Sequence, residues 1–253
     1  MKIKKYPLFL PEFSSLNYDL ASDLIIEKAI KRESYGVTAL AVHGLITSLT
    51  NESLGRVINE IDLIVPDGQP IKWALNSFYK LRLKDRVTGP TLTSFVLQKA
   101  GKKNLKVYLY GSTETTIKKF KSKIATSFPS VEICGIHPDR FRDATESEDA
   151  EDIQKINTSG ANIILVGRGC PRQEFWVASH KGKINGVMIA IGAAFDFHAG
   201  NLRRAPNWMQ KLGLEWLFRL GMEPRRLWKR YLVTNFLFIY KFITHKFIKK
   251  RPI

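Results

Sequence analysis

From about residue 19 to residue 197, short apolar runs of strand character alternate with longer segments of helical period, and this alternation leaves few folds open. The segments DLASDLIIEKAIKRE, LITSLTNESLGRVINEI, QPIKWALNSFYKLR, TLTSFVLQKAG and TETTIKKFKSKIATSF repeat apolar residues at helical spacing, the last opened by a Thr cap. ESEDAEDIQKINTSG reads as an exposed acidic helix, and PRQEFWVASHKG as a helix with proline in its first turn. The stretches GVTALAVH, DLIVP, LKVYLYG, VEICGIH, ANIILVG and GVMIAIGAAFDF read as buried strands, the last running into a loop. Strand and helix repeated in this way call for an α/β fold, a parallel sheet with helices on both faces. From Arg204 the pattern turns to helix without strands, and no internal repeat or low-complexity linker interrupts it.

Charge distinguishes that C-terminal part further. Residues 201–253 hold 13 Lys/Arg against only Glu215 and Glu223, so they carry +11 of the chain's net +17. An end-loaded basic field calls for a polyanion: nucleic acid, an anionic membrane surface or a phosphate-bearing substrate, unless it serves only for solubility. EPRRLWKRYL, residues 223–232, sets Arg225, Arg226, Lys229 and Arg230 among Leu227, Trp228, Tyr231 and Leu232, with no recognisable RNA- or DNA-binding motif around them. Further on, Phe236, Ile239, Tyr240, Ile243 and Phe247 share a helical face opposite Lys241, His245 and Lys249, although Phe238 and Phe242 blur the division. The run is too short to span a bilayer; it suits either a membrane surface or packing on the core or a second copy of the chain, which leaves a homo-oligomer open. Cys134 and Cys170 stand alone, which implies neither a disulfide framework nor a zinc site and fits a reducing cytoplasm. MKIKKYPLFLPEF has a signal-like charge, but Pro11 and Glu12 cut its apolar stretch short, so it is expected to stay in the mature protein.

In a parallel sheet ligands bind beyond the carboxyl ends of the strands, and four post-strand loops carry unusual chemistry. YGSTE contains Gly111, and VGRGCPRQE contains Gly167 and Gly169 before a helix. Arg172 stands where a dinucleotide fingerprint has its third glycine, so classical NAD binding is not expected. Such loops and helix N-termini suit a nucleoside diphosphate, and they also occur as plain tight turns. Asp67 in PDGQP is the candidate general base, or else a cap of the helix containing Trp73; Asp196 in FDFHAG is similarly two-sided. His43 and His198 have no partner at ligand spacing, and there is no Asp-x-Asp motif, so no metal site and no cofactor is expected.

The strings IVPDGQPIKWAL, RVTGP, GCPRQEFW and IGAAFDFHAGNLRRAPNWMQKLGLEWLFRLGMEPRRLWKRYL, in this order and spacing, resemble the WecG/TagA/CpsF family of bacterial glycosyltransferases from about residue 37 to the end of the basic segment. The resemblance implies a Rossmann-like core, residues 1–203, with a C-terminal helical membrane-binding appendage, residues 204–253. It implies an inverting, metal-independent transfer of a sugar from a UDP-sugar to an undecaprenyl-diphosphate-linked sugar at the cytoplasmic face of the cell membrane, the enzyme being peripheral there. The sugar would be N-acetylmannosamine, its uronic acid or glucose. By match of position, Asp67 would be the base, Gln173 and Asp196 would contact the donor, Arg86 would be a functional arginine, and Arg219 and Arg226 would meet the lipid diphosphate. A third appendage arginine is Lys229 here, with Arg230 beside it, and lysine does not replace a bidentate arginine. Ala39 and Ala41 stand where relatives often have Thr or Asn, leaving His43 as the nearest polar side chain, and Thr91 stands where an acidic residue is common. Two other classes are weighed against this: a nucleic-acid-binding protein, which the missing motif disfavours, and a non-catalytic membrane scaffold, which would leave the strand-end loops idle.

Overall fold

The computed structural model describes residues 3–247. An antiparallel hairpin, β1 (Lys5–Pro7) and β2 (Glu12–Ser14), comes first. The alternating part follows as α1 (Tyr18–Ile30), β3 (Tyr35–Leu40), α2 (Val42–Thr50), α3 (Glu52–Val57), β4 (Leu63–Pro66), α4 (Gln69–Tyr79), α5 (Gly89–Lys102), β5 (Lys106–Gly111) and α6 (Glu114–Ser127). It continues as β6 (Glu132–His137), α7 (Glu146–Thr158), β7 (Ile163–Gly167), α8 (Arg172–His180), β8 (Val187–Ala190) and α9 (Ala194–His198). Three helices complete it: α10 (Asn207–Lys211), α11 (Glu215–Met222) and α12 (Pro224–Phe247).

The strands β3 to β8 form one parallel sheet in the order β4-β3-β8-β7-β5-β6, so each strand expected from the sequence is present and the α/β class holds. Because successive strand residues face opposite ways, each strand feeds two cores. In β7, Ile163 and Leu165 join α1, α5, α6 and α9 on one face, whereas Ile164 and Val166 join α2, α3, α4, α8 and α12 on the other. All four are fully buried, which is why ANIILVG reads as an unbroken apolar run rather than an alternating one.

The structure departs from the sequence expectations at several points. The N-terminal stretch, given no element, forms the hairpin, which buries Leu8 and Phe13. The helix expected over 45–61 breaks at Asn51, whose side chain accepts the Leu54 N–H and so starts α3 separately. GVTALAVH stops being strand at Leu40, and the loop expected after β8 winds into α9. The Thr113 cap of α6 is present, accepting from the Thr116 N–H. Helices alone follow Arg204 in the described part, and none is long and apolar enough to cross a membrane.

The blurred periodicity of the last helix turns out to be two faces. Leu227, Thr234 and Phe238 are buried, Phe238 within the apolar core on that face of the sheet. Phe242 stacks on Phe78 at 5.1 Å, and His245 packs against Phe9 and Phe78, so it is not on a polar face as its position opposite the apolar stripe implied. Phe236, Ile239, Tyr240, Ile243 and Phe247 are exposed together on the other side. Lys249 lies outside the described residues.

Candidate functional site

The loops after β3, β4, β5, β7 and β8 open at the carboxyl end of the sheet, and α11 and α12 lie across them, enclosing a cleft of about 450 Å³. Asp67 lies in it directly after β4, its backbone N–H tied to the Leu40 carbonyl of β3 at 3.1 Å. Helix α4 is capped at Gly68 without any side-chain bond, so Asp67 is no helix cap. Instead its Oδ2 accepts the Gly89 N–H at 3.3 Å, and Oδ1 has no hydrogen-bond partner among the described residues. Burial pushes the Asp67 carboxyl up to about 6; Arg86, the Gly89 N–H and Arg219 oppose that rise and Glu215 adds to it. A carboxylate with one free oxygen and a proton affinity near neutrality is suited to take a proton from a hydroxyl.

The donor candidates separate into cleft wall and support. Gly167, Gly169, Gln173 and Asp196 line the cleft; Gly111 does not. Gly111 has φ +109°, and a Cβ there would lie 2.8 Å from the Gly167 carbonyl carbon, so this glycine lets β5 and β7 end side by side. Gly169, at φ +74°, turns the chain so that its carbonyl accepts the Gln173 N–H at 2.9 Å, opening α8. Gln173 is buried, donates through Nε2 to Glu174 at 2.9 Å, and keeps its Oε1 without a partner. Asp196 is held by Asn201, which donates to its Oδ1 at 3.3 Å and to Thr116 at 2.9 Å. Ser112, Thr113 and Thr116 add hydroxyls to this wall and Arg168 adds a cation, itself paired with the buried Asp139 at 3.3 Å.

On the opposite wall stand cations from the C-terminal helices. Of the six acceptor candidates, Arg86, Arg219, Arg226 and Arg230 line the cleft, whereas Arg225 and Lys229 are exposed outside it. Lys229 rests over the Trp228 ring, and it is Arg230 that the helix turns inward beside His43 and Cys170. Burial pulls the Arg230 guanidinium below its ordinary value, and it forms no ion pair among the described residues. The Nε groups of Arg219 and Arg230 are buried without acceptors. Arg219 and Arg226 share Glu223, at 3.7 and 2.6 Å, which leaves Arg230 as the arginine of this wall without a carboxylate among the described residues, and a buried cation so placed is costly unless an anion joins it. Arg86 is differently placed, with its guanidinium held by Glu215 and, at 3.3 Å, by Gln210 Oε1. His43 is pushed down to about 4 by burial and by Arg230, so it is neutral at pH 7.

Ala39 and Ala41 line the cleft, while Thr91 is outside it and receives a hydrogen bond from Arg204 at 3.3 Å. Among the described residues no three His, Cys, Asp or Glu side chains gather as a metal-ligating group. Sequence reasoning missed two acids of the cleft. Glu215 had a signal, being one of two acids among 13 Lys/Arg. Glu174 had none: nothing in RQEFW says that its carboxyl is fully buried, accepting from Thr38 at 3.1 Å with Oε2 unpartnered.

Comparison with known proteins identifies the family. A family model, glycosyl transferase WecG/TagA/CpsF family, matches residues 7–252. An N-acetylglucosaminyldiphosphoundecaprenol N-acetyl-beta-D-mannosaminyltransferase of Bacillus subtilis strain 168 is 33% identical over 177 residues, 70% of this chain and 66% of that one. A protein of the same name from Bacillus spizizenii is 30% identical over 186 residues, 73% of this chain and 70% of that one. The chain belongs to the WecG/TagA/CpsF family of glycosyltransferases.

Proposed function

We propose that the protein transfers a sugar from a UDP-sugar to a polyprenyl-diphosphate-linked sugar, with inversion and without a metal ion, while seated on an anionic membrane surface. The observation that carries this is the cleft itself: one wall places Asp67 with a free carboxylate oxygen, and the other presents Arg219, Arg226 and Arg230, two of them with unsatisfied buried donors. The relatives' names supply the acceptor class, a sugar on undecaprenyl diphosphate, and a first choice of donor sugar, N-acetylmannosamine.

In this reading the nucleotide lies along the loops after β5, β7 and β8, against Gly167, Gly169, Gln173 and Asp196, and the acceptor diphosphate meets the arginines of α11 and α12. Asp67 takes the proton of the acceptor hydroxyl as its oxygen bonds to the anomeric carbon, and the bond from that carbon to the UDP oxygen breaks on the opposite face. The departing diphosphate charge is met by the backbone N–H groups of Gly169 and Cys170, which have no acceptor among the described residues, and by Arg168. The division into residues 1–203 and 204–253 is part of the proposal: the first binds donor and base, the second brings the arginines and an exposed apolar face to the lipid. The test is a panel of UDP-sugars with a short-chain lipid-diphosphate N-acetylglucosamine acceptor, read by mass spectrometry. A mass increase of one sugar and an inverted anomeric linkage are expected; no product with any donor sinks the reading. RNA competing with UDP for the cleft would favour the nucleic-acid alternative.

A further inference from the structure

The contact between Arg86 and Glu215 joins the C-terminal helices to the loop that precedes α5, directly beside Asp67. The turn from Gln210 to Glu215 sits on the first turn of α4: Gln69 Nε2 donates to the carbonyls of Gln210 and Lys211, both at 3.4 Å. Gly213 approaches so closely that a Cβ would lie 2.9 Å from the Trp73 ring. Gln210 closes the arrangement by accepting from Arg86 and donating to the Ala205 carbonyl at 2.8 Å. Arg86 and Glu215 side chains are 11% and 23% exposed, which makes this pair well shielded from water. Arg86 is the charge that Asp67 feels most, yet no ion pair joins the two among the described residues.

We propose that Glu215 is a positioning residue that makes seating of the C-terminal helices a condition for a free base: it engages the Arg86 guanidinium, which otherwise pairs with Asp67. The inference rests on the reading of Asp67 as the base. The Arg86 guanidinium is bonded to one carboxylate, Glu215, and shares the cleft with a second, Asp67, and a shielded arginine does not stay unpaired at little cost. With Glu215 in place Arg86 is satisfied and the Asp67 oxygen is open to an acceptor hydroxyl. With Glu215 withdrawn, Arg86 turns to Asp67, occupies the hydroxyl's place and weakens the base by stabilising its carboxylate. A donor bound while α11 is unseated then meets an idle base, and water is not activated against it. The other groups facing Asp67 are the Gly89 N–H and Arg219; Arg219 is carried by α11 and leaves with it on unseating, but it stays in place in the Glu215 variants, so these isolate the exchange.

The test is the pH dependence of kcat/KM for the full chain, with UDP-N-acetylmannosamine and a soluble diphosphate-linked N-acetylglucosamine acceptor. Glu215→Gln is expected to move the acid limb down by roughly one to two pH units, because an opposite charge drawn close to a carboxylate has that effect. It should lower kcat about tenfold with the donor KM unchanged, as for loss of an interaction made after binding. In the double variant Arg86→Gln/Glu215→Gln the limb should return to the wild-type position or above it, since no guanidinium remains to pair with the base. A limb that stays put in Glu215→Gln, or a double variant that matches it, overturns the proposal. Glu215→Asp keeps the charge but shortens its reach and should place the limb in between, which carries the test should Glu215→Gln fail to fold. Should Asp67→Asn itself transfer sugar normally, the assignment of the base has failed, and with it the premise rather than the exchange.

Discussion

The part of the chain up to residue 203 and the part from 204 to 247 bury their side chains on opposite terms. The first encloses two continuous apolar cores on either side of its sheet. The second leaves Trp208, Leu212, Trp216, Leu217, Trp228 and most of one side of α12 exposed, and its cations crowd the same surfaces. Exposed aromatic and aliphatic residues of this extent, beside Lys and Arg, describe a surface made for a partner rather than for water. The contrast teaches that a single apolar period in α12 hides two jobs. Phe238 and Phe242 hold the helix to the core, and the Phe236–Phe247 stripe is left for the lipid surface proposed here.

The largest expected effect lies in the first region. Asp67→Asn should lower transfer by roughly 10² or more while the denaturation midpoint stays level or rises. The sign follows from burial: the folded protein holds this carboxyl's pKa at about 6, above its ordinary 3.8, so ionising it opposes folding as pH rises through that window, and removing it relieves the cost at neutral pH. Wild-type kcat/KM should correspondingly fall as pH drops through about 6. Normal transfer by the Asn variant, or its unfolding, breaks the picture of a strained but working base.

Next in size is a pair within α12. A charged hydrogen bond is worth roughly 1.5–3 kcal/mol, so Arg230→Gln should cost about 10- to 150-fold in kcat/KM for a soluble diphosphate acceptor. Arg225→Gln, facing away from the cleft, should leave that reaction unchanged. Equal losses would mean that the helix sits differently when substrate is bound. A matching pair separates the two apolar faces. Phe238→Ala should destabilise by about 3–5 kcal/mol, as for other buried aromatic deletions, and the denaturant midpoint measures it. Phe236→Ser with Ile239→Ser and Ile243→Ser should shift that midpoint little yet abolish binding to anionic vesicles. If the triple variant binds vesicles as well as wild type, the exposed face serves another partner.

The sequence made the sheet and the candidate base legible for physical reasons. Strands buried on both faces leave unbroken apolar runs, and a carboxylate followed by glycine at a strand end stands out wherever it occurs. What stayed hidden depends on contacts between distant segments. Nothing local to Phe238 or His245 announces Phe9 and Phe78 as neighbours, and nothing local to Gly111 announces that the Gly167 backbone lies against it. The partner of Arg86, Glu215, lies 129 residues away, so no local pattern announces their pairing. Arg225 and Arg230 are alike in sequence, and only the azimuth of α12 against α2 sends one outward and the other into the cleft.

The smallest effect expected is that of EDTA, and it bears on how the two regions share the leaving-group charge. In the proposed reaction the diphosphate develops negative charge as the sugar departs, and something fixed must meet it. The chain has no Asp-x-Asp pair to hold a bridging cation, whereas Arg168 and the Gly169 and Cys170 N–H groups supply positive charge and backbone donors on the donor side, and Arg219, Arg226 and Arg230 supply positive charge on the acceptor side. Such groups are already in place before the bond breaks and cost no reorganisation when it does. Transfer should therefore stay within about twofold of its rate when millimolar EDTA is added, since each tenfold change would require the loss of about 1.4 kcal/mol of transition-state stabilisation. The control is Arg168→Gln, which takes away a cation that EDTA cannot reach and should lower kcat more than KM. A rate abolished by EDTA and restored by Mg²⁺ would assign the leaving group to a metal and leave these arginines with binding alone.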